Sequence, residues 1–280
     1  TLYLVATPIG NLGDLSPRAR EILSTVDFIA AEDTRVTQKL LTACELPRKP
    51  MISYYEHNRR ARGEVVLERM LGGETCALVT DAGTPAVSDP GEDLVALCAE
   101  HDIPVIPVPG CCAAVCALAA SGLPTGRWCF EGFLSVNKKA RREHLDALEG
   151  EKRTMIFYEA PHKLCATLRD LAAAFGEDRR LSLSRELTKL HEQTLRMTLG
   201  EAMRYFDENP PRGEFVLIVE GAPDEPETEQ DEAERLASAA EAVRRRMEQG
   251  QTQKDAVKAV SAEVGVKKNA LYRYVLENEE

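Results

Sequence analysis

Aromatic side chains are scarce in this chain, 5% of 280 residues with a single tryptophan, so Leu, Val and Ala must fill most of any core. Long apolar runs are absent, and none approaches the roughly 20 residues that a membrane-spanning helix requires. The first residues show no basic stretch leading into an apolar one, so no secretion signal and no membrane partner are expected, and the setting reads as cytoplasmic. Neither G-x-G-x-x-G nor G-x-x-x-x-G-K-[ST] occurs, which removes the usual dinucleotide and phosphate-cradle readings. Paired cysteines are missing too. Cys44, Cys76, Cys98, Cys111, Cys112, Cys116, Cys129 and Cys165 include no C-x-x-C. No metal site is expected from them, and they read as small buried hydrophobes.

Charge of one sign dominates, with a net −11. Residues 224–234, DEPETEQDEAE, hold seven acids and no base, and removing those seven charges leaves −4 for the remainder. Basic residues cluster elsewhere: Arg48, Lys49, Arg59, Arg60 and Arg62, then Lys138, Lys139, Arg141 and Arg142. Local patches of this kind let an acidic protein dock RNA, although each alone is also what ordinary solvated surface looks like.

What is present is a regular alternation of apolar runs and helical patterns. Strands are expected at 2–6, 27–31, 52–55, 76–80 and 103–107, with helices at 16–25, 34–43, 60–71, 91–100 and 111–121. That succession predicts a mostly parallel sheet with helices on both faces. After a hinge at Ser121–Gly126 come strands near 127–134, 154–158, 180–186, 191–198 and 214–220. Helices near 137–148, 161–175 and 199–207 separate some of them. The short link between 180–186 and 191–198 makes those two antiparallel in a mixed sheet. The chain is therefore expected to be α/β, with domains at 1–122 and 123–222, an acidic linker at 223–233 and a helical tail at 234–280. In the tail, helix, glycine turn at Gly265 and helix look like a helix-turn-helix unit, with Lys254, Lys258, Lys267, Lys268 and Arg273 on or beside it.

Four polar, glycine-bearing loops follow predicted strands: Thr7-Pro8-Ile9-Gly10-Asn11, Glu32-Asp33-Thr34-Arg35, Asp81–Pro85 with Val87–Gly91, and Val108–Ala114. Each alone is an ordinary turn or helix start. In a parallel sheet all four leave from one edge, where α/β folds hold small molecules.

Taken together, L-Y-L-V-A-T-P-I-G-N-L-x-D, A-E-D-T-R, Y-Y-E-H-N, V-T-D-A-G-T-P-x-x-S-D-P-G, V-P-G, F-Y-E-A-P-H-K, R-E-L-T-K and G-E-F-V-L-I-V-E-G closely resemble the tetrapyrrole-methylase superfamily. The resemblance runs almost continuously over residues 2–222. It implies two α/β domains that hold S-adenosylmethionine in an interdomain cleft, and a homodimer. Within the superfamily the chain is similar to the branch that methylates a cytidine ribose 2′-oxygen in the decoding region of 16S rRNA, on the small ribosomal subunit. Carried over by motif, the cofactor contacts are Pro8, Asp81, Gly83, Thr84, Cys112, Ala113, Glu159, Leu187 and Glu214 with Phe215. Cys112 stands where relatives often carry Ser or Thr.

A ribose hydroxyl is a poor nucleophile, so a base or orienting acceptor should assist it. The candidates are Asp33, His57, Glu56 and Lys189, with Arg35, Asn11 and Asn58 positioning the nucleotide. His162 is a further candidate or a helix cap. Arg59, Arg60, Lys138, Lys139 and Arg141 are expected to meet the RNA. Two alternatives stay open: methylation of a tetrapyrrole or of a modified amino acid on a translation factor (diphthine-type), and a non-catalytic nucleic-acid-binding regulator acting through the tail.

Overall fold

The computed structural model describes residues 1–223 and 229–278. Among them ten strands form two five-stranded sheets. The first is built from β1 (Leu2–Val5), β2 (Phe28–Ala31), β3 (Met51–Ser53), β4 (Cys76–Val79) and β5 (Val105–Val108), in the order β3-β2-β4-β1-β5. Every pairing in it is parallel. The intervening helices are α1 (Pro17–Thr25), α2 (Thr34–Ala43), α3 (Arg59–Leu71) and α4 (Glu92–Glu100). Ser16 caps α1 by accepting from the Ala19 amide, with Pro17 in the first turn, a start legible in the sequence.

Both faces of this sheet are covered. Phe28, Ala30, Cys76 and Leu78 pack with Val66, Met70 and Leu94, while Ile29, Ala31, Ala77 and Val79 pack with Leu15, Leu23 and Leu41. Successive residues of one strand thus enter opposite cores, which is why the strands read as unbroken apolar runs rather than alternating ones.

The second sheet has β6 (Trp128–Phe133), β7 (Thr154–Glu159), β8 (Arg180–Arg185), β9 (Gln193–Thr198) and β10 (Phe215–Val219), ordered β6-β7-β10-β8-β9. Only β6 and β7 are parallel; β7–β10, β10–β8 and β8–β9 are antiparallel, so the mixed sheet and the antiparallel β8–β9 pair are as expected. Helices α6 (Lys138–Ala147), α7 (Pro161–Phe175) and α8 (Leu199–Glu208) accompany it. Leu145, Leu164, Leu168, Leu171, Leu199 and Phe206 share one core with Met155, Phe157, Leu183 and Leu217.

The opposite face of the second sheet is covered by α5 (Ala113–Ser121), whose Ala114, Ala117 and Leu118 pack with Ile156, Val216 and Ile218. Sequence order assigns α5 to the first half, yet its packing partners lie in the second sheet. Arg196 of β9 holds the far end of the helix, its guanidinium donating to the carbonyls of Ser121 at 3.0 Å and Ala120 at 2.5 Å. A cation on the last carbonyls of a helix is favourable.

Residues 1–222 form one compact unit holding both sheets, and 223–280 form another. In the latter, α9 (Glu229–Glu248), α10 (Gln253–Val264) and α11 (Lys268–Glu277) share a core of Ala239, Ala240, Val243, Val257, Val260, Leu271 and Val275. Gly265 ends α10 at φ 73°, the left-handed cap that glycine adopts at least cost. Residues 224–228 of the expected linker lie outside the described residues. The helix begins at Glu229, five residues before the expected tail, since acidic residues favour a helix N-terminus as well as a linker. Among the described residues no helix is long and apolar enough to cross a membrane. Cys44, Cys76 and Cys98 are buried, but Cys116 is exposed and the other four are half-buried, so burial accounts for only some of the thiols.

Leu217 is fully buried at the centre of the second sheet. Leu217→Ala is expected to lower unfolding free energy by about 2–5 kcal/mol in urea titrations of the full chain.

Candidate active site

The parallel register sends the loops after β1, β2, β4 and β5 out of one edge, and hydrogen bonds lock three of them together. Thr7 and Gly83 exchange backbone bonds, 2.9 Å from the Thr7 amide and 3.0 Å from the Gly83 amide. The buried Thr7 hydroxyl donates to the Thr80 carbonyl at 3.1 Å, and the Thr84 hydroxyl to the Cys111 carbonyl at 2.8 Å. Gly83 sits at φ 90°, where a side chain would be strained. A Cβ on Gly110 would lie 2.8 Å from the Ala6 Cβ, so the fourth loop approaches the first only as glycine.

Against this edge stands the second sheet. The Tyr158 hydroxyl accepts from the Ala114 amide at 3.0 Å, fixing β7 to the start of α5. Between the two sheets lies a cavity of about 330 Å³, within the roughly 300–1,000 Å³ of small-molecule sites. Ile9, Glu32, Thr80, Asp81, Gly83, Thr84, Val87, Asp89, Cys112 and Ala113 line it from the first half. Phe133, Tyr158, Glu159, Glu186, Leu187, Lys189, Glu214 and Phe215 line it from the second.

Six of these lining residues are carboxylates and one is a lysine, so the cavity is built for a cation. Glu32 accepts from the Thr80 hydroxyl at 2.5 Å and the Asp81 amide at 3.2 Å, and Asp81 accepts from the Asp33 amide at 3.2 Å. Burial and the neighbouring Glu32 carboxylate raise the pKa of Asp81. The same two causes push Asp89 to about 6, against a hydrogen bond from Thr80 that pulls it down. Glu159 is buried; it accepts from the Ala160 amide at 2.9 Å and the Thr167 hydroxyl at 2.5 Å.

The loop after β8 is backbone-strained. Glu186 and Thr188 adopt φ 51° and 66°, and a β-branched residue in that region is unusual. This turn brings Lys189 back onto the cavity, where its ammonium meets Glu186 at 3.0 Å and Glu214 at 3.9 Å. The pairing draws the Glu186 carboxyl below its ordinary range.

Of the residues singled out in the sequence, Asp81, Gly83, Thr84, Cys112, Ala113, Glu159, Leu187, Lys189 and Glu214 come together on the cavity wall. Pro8, Asp33, Arg35 and His57 do not line it. Asp33 caps α2 and is gripped by its neighbour, with the Arg35 guanidinium 2.6 Å away. Those hydrogen bonds hold its pKa at about 2, which makes it a weak base. His57 is exposed, edge-on to Tyr55, and His162 is exposed in the first turn of α7. Cys112 is the N-cap residue of α5 but its thiol makes no cap bond.

The nucleotide-positioning set is rearranged more strongly. Asn11 caps a 3-10 turn by accepting from the Gly13 amide at 2.9 Å. Asn58 bonds the Tyr55 amide and the Ser53 carbonyl, so both ends of its side chain serve its own loop. Glu56 pairs with Arg59, which also reaches Asp93. The Arg141 side chain is 12% exposed, bound to Asp170 at 2.5 Å and to the Thr167 hydroxyl at 2.8 Å. Arg141 therefore supports Thr167 beneath Glu159 rather than facing solvent. Lys138, Lys139 and Arg60 are exposed.

Glu32, Asp89, Phe133, Tyr158 and Glu186 were absent from the sequence-derived set. Glu32 stood beside Asp33 in A-E-D-T-R, Tyr158 beside Glu159 in F-Y-E-A-P and Glu186 beside Leu187 in R-E-L-T, while Asp89 lay five residues beyond Thr84, so all four were within reach of the motifs. Phe133 carries no such signal, because its placement depends on sheet register.

An open two-sheet α/β unit whose edge loops enclose an acidic cavity is the arrangement in which α/β folds hold small molecules. The chain belongs to the family of tetrapyrrole (corrin/porphyrin) methylases, which matches residues 1–203. It is 50% identical over 278 residues to the ribosomal RNA small subunit methyltransferase I of Synechocystis sp., covering 99% of this chain and 98% of that one. Identity to the ribosomal RNA small subunit methyltransferase I of Escherichia coli O157:H7 is 44% over 281 residues, 99% of this chain and 95% of that one. In fold it is similar to a uroporphyrin-III C-methyl transferase from Thermus thermophilus solved with S-adenyl homocysteine. That match has TM-score 0.53 and 19% identity over 77% of this chain and 96% of that one.

The raised pKa of Asp89 has a consequence for stability. The folded protein favours the neutral carboxyl, so this contribution is complete below the ordinary value of 3.8 and is lost as pH rises through about 6. Asp89→Asn keeps a neutral side chain throughout. Its melting temperature relative to wild type is expected to climb between pH 4 and pH 7 and then level off; a constant difference would refute the assignment.

Proposed function

We propose that this protein is an S-adenosylmethionine-dependent methyltransferase acting on RNA of the small ribosomal subunit, and that the acceptor is a cytidine ribose 2′-oxygen in the 16S decoding region. The observation that carries the cofactor is the cavity itself: six carboxylates around about 330 Å³ suit a cationic sulfonium with an amino group. The relatives of matching length carry the substrate, since this chain aligns over 99% of itself with proteins of that name.

Asp81, Gly83, Thr84, Cys112 and Ala113 would hold the cofactor from the first half, and Glu159, Leu187, Glu214 and Phe215 from the second. When bound, S-adenosylmethionine supplies an electrophilic methyl group. The chain's part is alignment and exclusion of water. Glu159, orientated by Thr167 and the Ala160 amide, presents a fixed carboxylate. Lys189 places one ammonium at the cavity wall, suited to a developing negative oxygen. For accepting the ribose proton, Asp89 at about 6 is a stronger base than Asp33 at about 2. A homodimer, cytoplasmic setting and separate domains at 1–122 and 123–222 belong to the same reading.

The tail fits an RNA partner: Lys254, Lys258, Lys267, Lys268 and Arg273 are all exposed on its helices. Five such cations give a salt-dependent contribution to phosphate binding.

The test is transfer of labelled methyl from S-adenosylmethionine to small subunits lacking the modification, followed by digestion to nucleosides. Label on a 2′-O-methylcytidine is expected. Cofactor binding without label on RNA would shift the substrate to a tetrapyrrole or a protein.

A further inference from the structure

Phe133 lines the cavity and is nevertheless 60% exposed. Its placement comes from a bulge. β6 is an edge strand that pairs with β7 through Phe130↔Ile156, then Gly132↔Phe157 and Phe133↔Tyr158. Glu131 is therefore an extra residue, and Gly132 takes φ 62° beside it. If Glu131 were paired in the ladder rather than bulged, Phe133 would fall opposite Glu159, on the face of Met155 and Phe157 that α7 and α8 cover. With the bulge Phe133 shares the face of Ile156 and Tyr158, toward the cavity. Bulges next to active sites serve to re-aim a side chain in this way.

Once turned, the ring is fixed from one side only. Tyr158 packs edge-on against it with centroids 5.5 Å apart, and Phe130 packs on Tyr158 at 5.1 Å. The Tyr158 hydroxyl is itself tied to the Ala114 amide. Val87, 53% exposed, is a further exposed apolar group of the cavity lining. Five residues beyond Phe133, α6 opens with exposed Lys138 and Lys139. The carboxylate partners on this helix are loose and exposed, Lys139–Glu143 and Arg142–Asp146 both at 3.7 Å, so phosphates can replace them at little cost. The carboxylate-rich interior repels a phosphodiester, whereas Phe133 presents an aromatic face at the cavity and exposed Lys138 and Lys139 follow it five residues on in the chain. That pairing is how single-stranded nucleic acid is held.

We propose that Phe133 is the platform on which the base of the acceptor nucleotide stacks, turned to the cavity by the Glu131 bulge, with Lys138 and Lys139 taking the adjoining phosphates. This rests on the RNA substrate proposed above. The test is steady-state methyl transfer to unmodified small subunits by wild type, Phe133→Ala, Phe133→Leu and Phe133→Trp, with S-adenosylmethionine affinity measured by calorimetry. Phe133→Ala and Phe133→Leu are expected to raise KM for subunits about tenfold, and Phe133→Trp to stay within about twofold, with cofactor affinity unchanged in all three. Unchanged KM in Phe133→Ala overturns the inference. So does a matching loss of cofactor affinity, which places the ring on the cofactor instead. If Phe133→Ala does not fold, Leu and Trp fill similar space without and with a stacking face, and equal KM for those two overturns it. Absence of transfer by wild type is a different result: it overturns the proposed function and this inference with it.

Discussion

The packing of α5 on the second sheet is the contact on which the cavity depends. The helix leaves the fourth loop of the parallel sheet and buries Ala114, Ala117 and Leu118 against Ile156, Val216 and Ile218. Small residues let the helix approach closely, and burying apolar area here supplies the attraction that holds one sheet over the loop edge of the other. Arg196 and Tyr158 then anchor the two ends of the helix with hydrogen bonds. These contacts, together with the Thr7–Gly83 and Thr84–Cys111 ties between loops, set the two walls of the cavity facing one another.

Electrostatics follows from that placement. Carboxylates from β2, β4, β7, β8 and β10 ends converge on one space, and each would be costly to hold there without donors or a cation. Glu32 and Glu159 are satisfied by amides and threonine hydroxyls, and Glu186 by Lys189. Asp89 is held neutral further up the pH scale by burial and by the Glu32 charge, against a hydrogen bond from Thr80. A ligand with positive charge relieves that cost, so the cavity and its cargo stabilise one another.

The strand succession, the shared loop edge and the helical tail were legible because apolar runs, caps and glycine turns are local signals. Ser16-Pro17 and Gly265 mark helix ends on their own. Arg141 was misplaced because a basic residue within a basic cluster reads as surface, while its guanidinium is held by Asp170 and Thr167 from another helix. Asn11 and Asn58 have near neighbours in their own turns as partners, a local role that asparagine commonly has. Phe133 was invisible because its face is decided by one inserted residue, and a single register shift reverses which side a strand residue takes. The packing of α5 across the two sheets is likewise a tertiary fact with no local trace.

The roles of the lining residues depend on the cavity holding S-adenosylmethionine. Calorimetric titration of the full chain and of Ala113→Phe tests this most directly, since Ala113 lines the cavity at the start of α5 and a phenyl group there takes space that the cofactor needs. The prediction is saturable binding to wild type and none to Ala113→Phe, with both proteins unfolding cooperatively. Equal binding to the two would contradict it.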